Sequence, residues 1–143
     1  MAKFKNKINC FSQLVNDYEK NNNELSKNEE IILENKALQL IDLGKVKEAE
    51  EIYRKLINAG SKNHVVYSNL SVLCALSGKQ KERIKLLKIA LKINPSYSDA
   101  HTNLGLAFND QRDFQGAVKS FRKAIKLNPN NSNAYYNLGN LFE

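Results

Sequence analysis

Along residues 30–143, apolar residues return at steps of three and four, the spacing that lays a stripe along one face of a helix. The stripes come in pairs, and each pair recurs at an offset of 34 residues. Residues 64–97 align without a gap on 98–131, residues 30–63 fall in the same frame, and residues 132–143 begin a fourth copy. Counting positions from 1 to 34 within each unit, position 11 holds Leu40, Cys74, Phe108 and Phe142, and position 24 holds Tyr53, Leu87 and Phe121. Position 27 holds Leu56, Ala90 and Ala124. Small residues at position 8 (Ala37, Ser71, Gly105, Gly139) and position 20 (Ala49, Ala117) let two helices approach closely.

The turns read from the same frame. Gly44 and Gly78, at position 15, take the left-handed conformation cheaply, whereas Arg112 in the third unit can do so only at a higher cost. Asn94-Pro95 and Asn128-Pro129 end the second helix of their units, because proline lacks an amide hydrogen and disfavours helical geometry in the residue before it. Gly60-Ser61 fills that slot in the first unit. Helices are therefore predicted near 27–42, 46–58, 64–76, 80–92, 98–110, 114–126 and 132–142. Arg83 breaks the small-residue series at position 20; replacing it with Ala is expected to stabilise the fold unless an acid such as Glu48 or Glu51 pairs with it.

Leu104, Gly105, Phe108, Ala117, Phe121, Ala124 and Pro129 together resemble the tetratricopeptide repeat, and the resemblance spans residues 30–143. The second unit departs from that pattern at Ser71 and Arg83, and the first at Lys36 and Ser61. The resemblance implies an all-α fold, a right-handed superhelical solenoid of antiparallel helix hairpins whose first helices line a concave surface. The Asn-Pro boundaries and the segment NAYYNLGN are similar to the N-terminal repeat region of marine cyanobacterial tetratricopeptide proteins.

Residues 1–29 precede the repeat frame. Ser26 and Glu29 have capping-box spacing, placing the first helix start at Lys27. Ile8, Phe11, Leu14, Val15 and Tyr18 have the spacing of a short amphipathic helix that would cap the solenoid, and an unstructured tail is the alternative. At the other end, Leu138, Leu141 and Phe142 lack a following second helix. The chain thus reads as the first section of something longer, or as a truncated gene product, and self-association through that final helix is expected.

Composition narrows the function. The chain of 143 residues carries 22 Lys and Arg against 15 Asp and Glu, a formal net charge of +7, and no apolar run long enough to span a membrane. Unit two alone holds six cations against one acid, chiefly on its second helix. Such a stripe without interleaved aromatics is the solvated face of an amphipathic helix, and nucleic acid is not the expected partner. Cys10 and Cys74 stand far apart and His64 and His101 lack ligand spacing, so no metal, no cofactor and no catalytic residue is expected, and a reducing, cytoplasmic setting fits. Cys74 falls in a core slot.

Position 6 is Asn35, Asn69, Asn103 and Asn137, an unbroken series in a chain with twenty asparagines. A carboxamide offers two donors and an acceptor, so a row of them can pair with the backbone of an extended peptide whatever its side chains. The series resembles the asparagine ladder in the superhelical repeats of O-linked N-acetylglucosamine transferase, which implies backbone recognition of polypeptide. Ile31, Leu38, Val65 and Val72 add an apolar stretch, while Glu34 and Asp99 stand where a clamp for acidic chaperone tails would need cations. The expected function is a non-catalytic protein- or peptide-binding scaffold acting through the concave groove. The alternative is the substrate-recruiting arm of a larger enzyme such as a glycosyltransferase, sulfotransferase or oxygenase.

Overall fold

The computed structural model describes residues 25–142, which form seven helices in four consecutive units and, among the described residues, no strand. They are α1 (Lys27–Asp42), α2 (Val46–Asn58), α3 (His64–Leu76), α4 (Gln80–Ile93), α5 (Ser98–Asp110), α6 (Phe114–Leu127) and α7 (Ser132–Asn140). The first six pair as antiparallel hairpins, α1 with α2, α3 with α4 and α5 with α6, and each hairpin packs on the next. This is the all-α helical-repeat solenoid expected from the 34-residue frame. The proposed capping helix over Ile8–Tyr18 lies outside the described residues.

Local chemistry explains the boundaries. Ser26 caps α1 in a reciprocal box: its Oγ accepts from the Glu29 amide (3.3 Å), and the Ser26 amide donates to Glu29 Oε2 (2.9 Å). Asn63, Asp113 and Asn131 cap α3, α6 and α7 through their side-chain oxygens. Asn94 and Asn128 swing into extended geometry (φ −132° and −136°) ahead of their prolines and close α4 and α6. The C-terminal helix stops at Asn140, two residues short of expectation. There the amides of Leu141 and Phe142 bond back three residues, to Leu138 and Gly139, in a tightened last turn.

Arg112 adopts the left-handed conformation (φ 61°) that Gly44 (73°) and Gly78 (71°) adopt at the equivalent turns. The reason is the hydrogen bonding that closes each hairpin. The Arg112 amide donates to Asn109 O (2.8 Å) and the Asp113 amide to Phe108 O (2.9 Å), as Gly44 and Lys45 donate to Ile41 and Leu40. Two backbone bonds and the packing of the hairpin hold the arginine in a conformation its side chain disfavours.

The core falls into one cluster from Ala37 to Leu86 over the first two units and a second, of Leu87, Ala90, Ala100 and Ala107, between units two and three, with Tyr67 packed against both. Tyr53, Leu56, Leu70, Leu73, Cys74, Leu87 and Phe121 are fully buried, and the small residues Ala37, Ala49, Ala90, Ala117 and Ala124 are closed over completely. Leu138 and Leu141 are half-buried, whereas Phe142 is 71% exposed.

Arg83 departs from expectation. Its side chain is buried and neither snorkels into solvent nor meets Glu48 or Glu51. It pairs instead with Asp110 at the end of α5, and its guanidinium also donates to Gln80 Oε1 (3.3 Å) and the Asn103 carbonyl (3.4 Å). The long cation thus ties unit two to unit three where the other units place an alanine.

Candidate functional site

The first helices stand side by side: α3 touches α5, and α5 touches α7. Position 6 of each carries its asparagine. Asn35 is exposed, and Asn69, Asn103 and Asn137 are half-buried. Three of the four are anchored by one amide hydrogen. Asn69 donates to the Tyr53 hydroxyl (3.1 Å), Asn103 to Ser68 Oγ (3.4 Å), and Asn137 to the Asn133 carbonyl one turn back (2.8 Å). Burial raises the pKa of the Tyr53 hydroxyl, so it stays protonated; the Asn69 bond acts in the opposite sense.

The acceptor oxygens of these four side chains receive no hydrogen bond among the described residues, and here they differ from other asparagines. Asn63, Asn94, Asn128 and Asn131 each spend their Oδ1 on a nearby backbone amide at 3.0–3.1 Å. Asn69, Asn103 and Asn137 therefore offer a carbonyl oxygen, and a second amide hydrogen, from an orientation fixed by the first.

Of the apolar residues expected beside the series, Ile31 (55%), Leu38 (47%) and Val72 (42%) are exposed, and Val65 is half-buried. Glu34 is engaged by Asn63, whose Nδ2 donates to its Oε1 (2.8 Å). No lysine or arginine lies on α3, α5 or α7.

The sequence reading overlooked a set of polar ties between units. Asn131 caps α7 with its oxygen and reaches back with its Nδ2 to Ser98 Oγ (2.7 Å) and Thr102 Oγ1 (3.0 Å) on α5. Asn63 does the same between α3 and Glu34. The signal was available, since both stand at position 34 of their units, before a helix start. On the second helices, Arg54 bridges Glu50 (2.7 Å) and Glu82 (2.7 Å), and Lys79 reaches Glu50 as well (2.7 Å). The hydrogen bonds from Lys79 and Arg54 lower the Glu50 pKa, and that from Arg54 lowers the Glu82 pKa.

Residues with reactive side chains serve the packing. Cys74 is fully buried, and burial pushes its thiol up to about 11, far from thiolate chemistry at neutral pH. His64 lies edge-on to Tyr97 (centroids 4.6 Å apart) with Nε2 3.2 Å from Asn94 Nδ2, and His101 Nε2 is 3.0 Å from the Pro95 carbonyl. Among the described residues no group of three or more His, Cys, Asp or Glu side chains is gathered as a metal site. No helix among them is long and apolar enough to cross a membrane.

Residues 106–143 match the family model described as TPR repeat. The solved structures similar in fold include the first TPR of Spaghetti (RPAP3) bound to the HSP90 peptide SRMEEVD. That match has 24% identity and a TM-score of 0.76, covering 83% of this chain and 94% of that one. The Sgt2 TPR domain from Aspergillus fumigatus is 23% identical, with a TM-score of 0.73 and coverage of 84% and 80%. The second TPR domain of human RPAP3, in complex with the HSP70 peptide SGPTIEEVD, is 24% identical, with a TM-score of 0.72 and coverage of 79% and 94%. No curated protein matches the chain in sequence. The family match covers the last units, the same 34-residue frame runs back through the earlier ones, and the fold over most of the chain is that of tetratricopeptide-repeat structures.

Proposed function

We propose that the protein is a non-catalytic scaffold that binds extended polypeptide along the surface of its first helices. The observation that carries this reading is the row Asn35, Asn69, Asn103 and Asn137, with acceptor oxygens uncommitted among the described residues and three amides anchored. Each asparagine would accept from a peptide amide and donate to a peptide carbonyl, so recognition follows the backbone and depends little on sequence. Ile31, Leu38 and Val72, exposed on the same set of helices, add a preference for apolar side chains toward the N-terminal units.

The peptide-bound structures of similar fold support the class of job, and this chain's charge argues for a different ligand. SRMEEVD and SGPTIEEVD are acidic. The first helices here carry Glu34, Asp99 and Asp110, and no cation after α1. A neutral or mildly apolar segment is the expected ligand, and an acidic tail should be disfavoured.

The test is a peptide-array screen of the wild type against the quadruple Asn35, Asn69, Asn103 and Asn137 to Ala variant, after circular dichroism shows equal helicity. Each lost rung should cost about 0.5–1.5 kcal/mol, the net value of an ordinary hydrogen bond. A uniform loss across unrelated peptides supports backbone recognition; unchanged binding rejects it and leaves the series as repeat architecture.

A further inference from the structure

The second helices carry charge that no described acid answers. On α4, Lys81, Lys85, Lys88 and Lys92 follow one another along one face, and all four are exposed. On α6, Lys119, Arg122, Lys123 and Lys126 do the same. The one acid of α4, Glu82, is held by Arg54, and α6 has no acid at all. None of these eight cations forms an ion pair among the described residues. A row of lysines alone would be the ordinary solvated side of an amphipathic helix. Both rows border cavities, but of those beside the α4 row one is shared with Arg54 and Glu82 and the other is lined by α4 alone, whereas the one beside the α6 row sets its cations against Leu104 and Phe108 of the neighbouring helix.

Between α5 and α6 runs a groove of about 760 Å³, with His101, Leu104, Phe108 and Gly116 among its lining and Lys119, Lys123 and Lys126 beside them. The apolar part offers little to hydrogen-bond, since His101 Nε2 is already committed to the Pro95 carbonyl. The groove is separate from the asparagine series. Residues 101, 104 and 108 share one side of α5, at steps of three and four, while Asn103 sits well round the helix and reaches toward Ser68 on α3.

We propose that this groove is a second binding surface, and that its ligand is an acidic polypeptide segment bearing a large apolar side chain. The apolar side chain would enter over Leu104 and Phe108, and the acids would face Lys119, Lys123 and Lys126. The extent of the charge decides the ligand class. From Lys119 to Lys126 the row covers about 10 Å of helix, so the ligand must present several anions along a line, which a single lipid headgroup does not. A nucleic-acid backbone presents such a line but brings nothing apolar for the groove. Acidic residues flanking a Leu or Phe supply both. The lysines of α4 would add long-range attraction and speed the encounter. The two surfaces would then sort ligands by charge, the first helices taking neutral segments and this groove acidic ones.

The experiment is an amide-shift titration of the full-length wild-type chain with a synthetic peptide of Glu and Asp residues around a central Phe. Two stripped versions serve as controls, one with Phe replaced by Ser and one with the acids replaced by Gln or Asn. Short duplex DNA and phosphatidylcholine–phosphatidylserine vesicles are run alongside. The expected result is shifts confined to residues 101–108 and 116–126, and affinity lower by at least about tenfold for either stripped peptide. Lys119→Glu with Lys123→Glu should abolish binding, and the quadruple asparagine variant should retain it, which separates this surface from the first-helix one. If the charge-reversed variant loses helicity, the shift map on the wild type decides alone. Absence of binding, shifts centred on the first helices, or equal binding of the Phe-less peptide, the duplex or the vesicles would overturn the proposal.

Discussion

The Phe121 ring occupies the space a side chain at Gly105 would need: a Cβ built there would lie 2.6 Å from Phe121 Cε1 and 2.7 Å from Cδ1. Phe121 is fully buried on α6, so the ring cannot give way by swinging into solvent. Gly139 holds the equivalent position on α7 and has nothing within 4 Å. The same substitution should therefore have opposite signs at the two sites. Gly105→Ala should lose about 1–2 kcal/mol, because overpacking outweighs the gain in helix propensity. Gly139→Ala should gain a few tenths, up to about 1 kcal/mol, from propensity alone. Urea melts followed at 222 nm measure both, and a stabilised Gly105→Ala would show that the α5–α6 hairpin is looser than its geometry.

Arg112 occupies a conformation that glycine takes with far less strain. Its turn carries the same two closing hydrogen bonds as the turns at Gly44 and Gly78, so glycine would fit with no rearrangement. Arg112→Gly should stabilise the protein by about 0.5–1 kcal/mol, the relief of left-handed strain less the entropy glycine adds to the unfolded chain. Arg112→Asn should lie between the two. A destabilised glycine variant in thermal melts would mean that the arginine side chain makes a compensating contact.

Most of the helix ends, the Ser26–Glu29 cap and the Asn-Pro breaks were legible because each is a local event, decided within four residues of chain. That Arg112 nonetheless adopts the left-handed conformation was not legible, for the opposite reason. Intrinsic preference is local, but the closure that overrides it belongs to the hairpin as a whole. The placement of the asparagine series was likewise open to periodicity, while the anchoring of Asn69 by Tyr53 and Asn103 by Ser68 was not. Those partners sit in the preceding unit, and which side chains meet there depends on how units stack. Arg83 and Asp110, 27 residues apart, are the clearest case. Position 13 of the other complete units is Asp42 or Leu76, so no repeat pattern marks Asp110 as a partner.

The Arg83–Asp110 pair reverses the expectation for position 20. Arg83→Ala removes a buried guanidinium that bonds to Asp110, Gln80 and the Asn103 carbonyl, and it leaves a cavity where the stem packed. The variant should lose about 1–2 kcal/mol despite restoring the small residue common in the family. A double-mutant cycle with Asp110→Ala should show a coupling of at least about 0.5 kcal/mol, since residues in one network fail to add. A strictly additive cycle would assign the loss to packing alone.

The network of Glu50, Arg54, Lys79 and Glu82 makes stability fall in acid. Glu50 is the better buried of the two carboxylates, with a side chain 12% exposed, and it receives hydrogen bonds from Lys79 and from Arg54. Those bonds favour its charged form, and the Arg54 bond does the same for Glu82, so both carboxyls hold their protons less tightly folded than unfolded. The stabilisation is then complete above the unfolded carboxylate range, near pH 4.5, and is lost as pH falls through the lower folded values. Lys79 contributes in the other direction at high pH. Its pKa is raised, so its share is present at neutral pH and disappears only as the ammonium deprotonates in strong alkali. Glu50→Gln should remove about 1 kcal/mol at pH 7, at the upper end for a partly exposed pair because two cations share this one carboxylate. The wild type should lose that advantage progressively as pH falls below about 4.5. The two proteins should therefore differ by about a few degrees in melting temperature at pH 7, and the gap should shrink steadily as the medium is made more acid. Parallel curves with a constant gap across that range would show that the network stabilises through packing and not through charge.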